Sequence, residues 1–264
     1  MLDDSNGQLL VWPHQEVGMK LMLGRLLCGL LGGGLLTAML PMSPAIALSE
    51  DELLEKFSAV PVFVVADSAG GYVTSLVDLP NDGMGNIALL RVFFSEDDVR
   101  SFVEQVREDE PRFNQGGSVG VIDLATVHLL AKEQRETPLK LVFIPQTDDL
   151  EAARALDSDF GGTTSSSLVP LFALQDAAGN YLPVSFGSEP EEPVFSMFFS
   201  KQDADSVLSA LQSSGSDVSQ LNIGVVSLAD LSSDLLGRDD ESFERIQFLP
   251  DSEVINHIQN LELE

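Results

Sequence analysis

A single cysteine and only 14 basic residues in a chain of 264 remove whole classes of function before any motif is read. Cys28 sits in an apolar run near the N-terminus, so no disulfide framework or zinc-thiolate cluster is available to the rest of the chain. Lys and Arg are outnumbered by 42 Asp and Glu, for a formal net charge of -28. Nucleic acid and anionic lipid surfaces are held by clustered cations that displace counterions, so neither is an expected partner. Calcium-loop, nucleophile-elbow and phosphate-loop motifs are lacking as well. Gly83-Met84-Gly85 and Gly116-Gly117 lack the strand–turn–helix context of a phosphate cradle and read as loop glycines. Asp97-Asp98 and Asp148-Asp149 open predicted helices, where acid favours the helix dipole without any catalytic task. His128 and His257, each on a predicted helix, read as solvated side chains. The expectation is a protein without enzymatic activity, cofactor or metal.

What the chain does have is apolar residues, 44% of the total, enough for one large core or two small ones. At the N-terminus, Lys20 and Arg25 precede a 15-residue apolar stretch, Leu26 to Leu40, followed by Pro41, Pro44 and Ala45-Ile46-Ala47. That order predicts a secretory signal peptide over residues 1–47, cut after Ala47, since the stretch falls short of the roughly 20 residues of a spanning helix. Asp3, Asp4 and Glu16 put negative charge where a basic n-region belongs, so Met19 is the expected true start. Export and cleavage would leave a mature chain beginning at Leu48, with no cysteine and no membrane anchor.

The mature chain repeats itself. Val60-Pro61-Val62-Phe63 with Asp67, Gly70 and Tyr72 returns 109 residues later as Val169-Pro170-Leu171-Phe172 with Asp176, Gly179 and Tyr181. Phe93-Phe94-Ser95, Gly120-Val121 and Phe143-Ile144-Pro145 return in the same order as Phe198-Phe199-Ser200, Gly224-Val225 and Phe248-Leu249-Pro250, at offsets of 105 or 104. A duplication explains four ordered blocks at nearly constant spacing. It divides the mature chain into a first repeat over 48–160, a Gly/Thr/Ser linker over 161–167 and a second repeat over 168–264.

Each repeat predicts a hairpin followed by alternating strands and helices. Val60 to Ala66 and Val169 to Gln175 read as strands, and the Asp-x-x-Gly after each is turn chemistry. Hairpin partners are expected over Tyr72 to Val77 and Tyr181 to Phe186, and central strands over Ile87 to Phe94 and Val194 to Phe199. Ser95 and Ser200 stand where helix N-caps belong. Further strands are expected at Val119 to Leu124 and Asn222 to Leu228, each leading into a helix, and at Leu139 to Ile144 and Arg245 to Leu249. Amphipathic helices over Leu150 to Leu156 and Val254 to Leu261 close the repeats. The fold class is therefore α/β with a mixed sheet (α+β), two tandem repeats of a hairpin plus βαβαβα unit packed with pseudo-twofold symmetry. Alternation along Ile87 to Phe94 sets Leu90, Val92 and Phe94 on one face and Leu89, Arg91 and Phe93 on the other. The second face, with Phe198 and Val194 in the second repeat, supplies the candidate client-binding groove: Phe93, Phe198, Leu89 and Val194.

The repeated Val-Pro-Val-Phe with Asp-x-x-Gly, the Phe-Phe-Ser helix start and the Phe-Ile-Pro block resemble one family over about residues 50 to 264. The chain looks like a cyanobacterial-type member of the Tic-twenty-two family, soluble subunits of the chloroplast envelope protein import machinery. The resemblance implies a pseudo-symmetric fold with apolar grooves, a place between two membranes, and a chaperone-like role toward unfolded or translocating proteins, outer-membrane β-barrel machinery among its partners. A signal peptide directs such a protein to the periplasm, with the thylakoid lumen as the second destination. Two other classes stay open: a scaffold or adaptor docking one membrane translocon partner, and a hydrolase that would pair His128 or His257 with a nearby Ser and Asp.

Overall fold

Asp67 and Asp176 each close a tight turn with their own carboxylates. Asp67 Oδ1 accepts from the Gly71 N–H at 2.7 Å and Asp176 Oδ1 from the Asn180 N–H at 2.9 Å. Gly70 and Gly179 sit at φ of 81° and 85°, the left-handed region that glycine enters without a Cβ clash. The computed structural model describes residues 9–11, 47–67, 70–79, 85–109, 118–133, 137–161, 168–184 and 194–261. The remainder of the predicted signal peptide and the 162–167 stretch of the linker lie outside the described residues.

The first half runs β1 (Leu9–Val11), α1 (Glu50–Phe57), β2 (Pro61–Ala66), β3 (Val73–Leu79), β4 (Gly85–Phe93), α2 (Glu96–Asp109), β5 (Ser118–Asp123), α3 (Leu124–Lys132), β6 (Leu139–Ile144) and α4 (Thr147–Leu156). The second runs β7 (Pro170–Gln175), β8 (Phe195–Phe198), α5 (Lys201–Ser213), β9 (Asn222–Ser227), α6 (Leu228–Gly237), a 3-10 turn at Glu241–Arg245, β10 (Ile246–Leu249) and α7 (Ser252–Leu261). In the first sheet β4 lies between β2 and β6, with β5 beyond β2; in the second, β8 lies between β7 and β10, with β9 beyond β7. Phe63 pairs with Phe93 and Phe172 with Phe198, so register matches as well as order. β4 and β8 are the central strands that their apolar, aromatic-rich runs predict.

The two sheets face each other. Val62, Val64, Leu90, Val92 and Phe94 from one meet Leu171, Ala173, Met197, Phe199 and Phe248 from the other in a single buried cluster. Phe94 and Phe199, corresponding positions of the two halves, stack with centroids 5.3 Å apart and 15° between the planes. The outer faces are covered by helices, giving four layers in the order helix, sheet, sheet, helix. α2 lies over the first sheet, its Val99 and Val103 against Phe63, Val65 and Phe93. α5 covers the second through Ala204 and Val207 against Phe172 and Phe198.

The closing helix of each half crosses to the other sheet. α4 packs on β7 and β9, burying Ala153 against the second sheet. α7 delivers Val254 and Ile258 to the core outside the first, where His257 lies against Phe63. Neither half therefore closes its own outer face.

Two elements depart from the sequence reading. The hairpin partner expected at Tyr181 to Phe186 is reduced, among the described residues, to isolated bridges at Gln175–Tyr181 and Val184–Val194. Pro183 has no N–H to give to a ladder, whereas the matching position of the first half is Thr74, inside β3. Helix α1 is an addition, capped by Ser49, whose hydroxyl accepts from the Glu52 N–H while the Glu52 carboxylate accepts from the Ser49 N–H at 2.7 Å. β1 pairs antiparallel with the outer edge of β3, Leu9 to Val11 against Ser75 to Val73.

Candidate functional site

Helix α1 gains its position from three backbone carbonyls and one carboxylate of the second half. The Leu48 N–H donates to the Leu235 carbonyl at 3.0 Å, and the Ala47 N–H to Asp239 Oδ1 at 2.9 Å. At the far end Lys56 Nζ donates to the carbonyls of Glu244 (2.9 Å) and Ile246 (2.8 Å), and burial pushes its ammonium below the usual lysine value. Thus fixed, α1 lies beside α3 and α6, which occupy corresponding places in the two halves. Asp123 caps α3 by accepting from the Thr126 N–H at 2.7 Å, and Ser227 caps α6 by accepting from the Asp230 N–H at 3.0 Å.

Between these three helices is a cavity of about 220 Å³. Leu53 and Phe57 of α1, Leu124 of α3, Phe143 of β6, Val169, and Leu228, Ala229 and Leu236 of α6 supply apolar walls; His128, Ser232 and Ser233 supply the polar ones. Leu236 is 41% exposed at its mouth, and Leu129 on α3 is 51% exposed. These are two of the three large apolar side chains exposed among the described residues. Two of these polar groups are already engaged. Ser232 donates to the Leu228 carbonyl at 2.6 Å, and His128 Nε2 meets Glu50 Oε1 at 3.1 Å. Lys132 also pairs with Glu50, and these two hydrogen bonds, that of Lys132 first, hold the Glu50 carboxyl below its ordinary value. Such a pocket offers shape and apolar surface, with a charged rim on one side.

The structure brings His128 beside Ser232 and Ser233, but the histidine bonds a carboxylate through Nε2 and Ser232 is committed to its own helix. His257 Nδ1 meets Glu96 Oε2 at 2.7 Å, in the contact between α7 and α2. No group of three or more His, Cys, Asp or Glu among the described residues is arranged to hold a metal ion.

The four residues that sequence reasoning nominates are not brought together. Phe93 is 3% exposed beneath α2, with its ring 5.4 Å from Phe102; Phe198 is 3% exposed beneath α4 and α5. They lie on the outer faces of opposite sheets. Leu89 and Val194 are half-buried on β4 and just before β8. The face expected to meet solvent or a groove is instead closed by the amphipathic helix that follows each strand, because that helix has no other apolar surface to bury itself against. The cavity residues look like ordinary core positions in sequence. Only the Ser49-x-x-Glu52 capping box announces the helix that makes a pocket of them.

The described residues thus form two sheets in four layers, with exchanged closing helices and an apolar pocket among three helices. The chain belongs to the Tic22-like family, whose model matches residues 36–260. Its fold is similar to that of Tic22 from Anabaena, described as a protein transport protein, at 21% identity and a TM-score of 0.68, over 81% of this chain and 97% of that one. Tic22 from Plasmodium falciparum aligns at 14% identity and a TM-score of 0.61, over 80% of this chain and 98% of that one. No curated protein resembles the chain closely enough to count as a match. Among the described residues, no helix is long and apolar enough to cross a membrane.

Proposed function

We propose that this protein is an exported transport factor that holds apolar segments of unfolded or translocating proteins in the α1–α3–α6 pocket, assisting transport across the envelope or outer-membrane protein biogenesis. The observation that carries the reading is the exposure of Leu236 at the mouth of an apolar cavity of about 220 Å³. A cavity of this size takes one or two side chains. Burying one contributes about 1.5–3 kcal/mol before the costs of association, so binding is weak and tolerant of sequence. The net charge of -28 keeps loaded complexes apart. Membership in the Tic22-like family and the signal-peptide pattern support a place in the periplasm.

Aggregation of a chemically unfolded β-barrel protein, followed by light scattering with and without the full chain, tests the reading. Suppression at equimolar ratio, weakened by Leu236→Asp, is the expected result. Absence of suppression at several-fold excess would replace it with an adaptor that docks one membrane partner.

A further inference from the structure

We propose that the junction where α4, α5 and α7 meet is a proton-sensitive joint between the two halves, tightened in mild acid and loosened toward neutral pH. The inference is independent of client binding and rests on the crossing of the closing helices. α4 leaves the first half to cover the second sheet, and α7 leaves the second half to cover the first. Their starts meet beside the Phe94–Phe199 stack, where Asp149 of α4 and Asp251, just before α7, line one small cavity with Pro145 and Pro170. The two carboxyls are 6% and 7% exposed.

The ties across the junction are made by acids. Asp149 Oδ1 accepts from the Lys201 N–H at the first turn of α5, at 2.8 Å. Asp203 of α5 accepts from the N–H (2.8 Å) and hydroxyl (2.6 Å) of Ser252 at the start of α7. Every element packed here adds negative charge: Asp148 on α4, Asp203 on α5, Glu253 on α7 and Asp98 on α2. Lys201, whose N–H Asp149 accepts, directs its Nζ to Asp205 at 2.7 Å. Two buried carboxyls on one cavity, with no cationic side chain among the described residues acting on either, cannot both ionise cheaply, so the pair favours holding a proton.

Burial, with Asp251, Asp148 and Asp203 nearby, raises the Asp149 carboxyl to about 6, against the single opposing hydrogen bond from Lys201; burial raises Asp251 as well. The sign follows. A carboxyl raised in the folded chain holds a proton that the unfolded chain releases, so its stabilising contribution is complete below the ordinary carboxylate value and is lost as pH rises through about 6.

Thermal unfolding of the full chain between about pH 5 and pH 8 tests the joint, together with amide hydrogen exchange of α4 and α7 corrected for intrinsic rates. The wild-type midpoint falls by about 2–4 °C over that range, and exchange in both helices accelerates. Asp149→Asn keeps an oxygen to accept the Lys201 N–H but carries no proton to lose, so its midpoint falls by clearly less than that of the wild type. Asp251→Asn, should the first variant fail to fold, reduces the slope by removing the neighbouring charge. His257→Gln, which removes the α7 imidazole that meets Glu96, leaves the Asp149 slope in place. A wild-type midpoint that is flat or rising, or an Asp149→Asn variant with the wild-type slope, overturns the proposal.

Discussion

Phe94 and Phe199, 105 positions apart, stack with ring centroids 5.3 Å apart and their planes 15° from parallel, each held by a backbone N–H given to the closing strand of its own half. Phe94 donates to Ile144 and Phe199 to Leu249, both at 3.1 Å. The stack lies in the buried cluster shared by the two sheets, so this contact helps set how they face. Phe199→Ala leaves a hole between the sheets and is expected to cost about 3–5 kcal/mol. Urea unfolding checks this, and a loss below about 1 kcal/mol would show that the sheets slide to fill the gap.

Position 91 and its counterpart 196 carry opposite predictions. Arg91 donates to Ser75 Oγ at 2.7 Å and lays its guanidinium 5.0 Å from the Phe102 ring. Ser196, 3% exposed, has a hydroxyl with no hydrogen-bond partner among the described residues. Ser196→Ala is therefore expected to be neutral or to stabilise by up to about 1 kcal/mol, whereas Arg91→Ala destabilises by about 1 kcal/mol or more. Paired denaturation curves decide it. A destabilised Ser196→Ala would mean that the hydroxyl is satisfied in solution.

Much of this architecture is legible in the sequence, and the missing parts have a common cause. The offset between the halves drops from 109 to 105 between Tyr72 and Phe93. The first half thus has four more residues there, in the stretch that holds the β3–β4 ladder. Strands, caps and turns depend on neighbours in the chain and can be read from them. Which sheet α4 or α7 covers depends on contacts with residues far away in sequence. The apolar stripe of Leu150 to Leu156 fits either outer face, and nothing local says that it crosses. The burial of Phe93 and Phe198 is hidden from strand alternation on the same ground, since the helices above them are tertiary neighbours. Leu53, Leu124 and Leu228 likewise become cavity walls only when three helices fail to close on one another.

At the second Asp-x-x-Gly turn, Gly179 has φ of 85°, and a Cβ added there would meet no heavy atom within 4 Å. Only backbone strain opposes a side chain at this position. Gly179→Ala is expected to cost about 1–2 kcal/mol, and Gly179→Asn less, because Asn tolerates the left-handed region. Thermal midpoints of the two variants check the order.

Leu236→Asp separates binding from folding. The residue is 41% exposed, so its replacement is expected to change stability by no more than about 0.5 kcal/mol while placing a charge at the mouth of the apolar cavity. Circular dichroism and urea midpoints near wild type, with client suppression at least several-fold weaker, are the expected pair of results. Full suppression by a folded variant would exclude this pocket as the site.

The most direct measurement is a hydrogen-exchange footprint of the full chain with and without an unfolded β-barrel client. The account predicts slowed exchange confined to Glu50–Phe57, Leu124–Lys132 and Leu228–Gly237, the three helices around the pocket. Protection on the outer helices α2 and α5 instead, or none at saturating client, would contradict it.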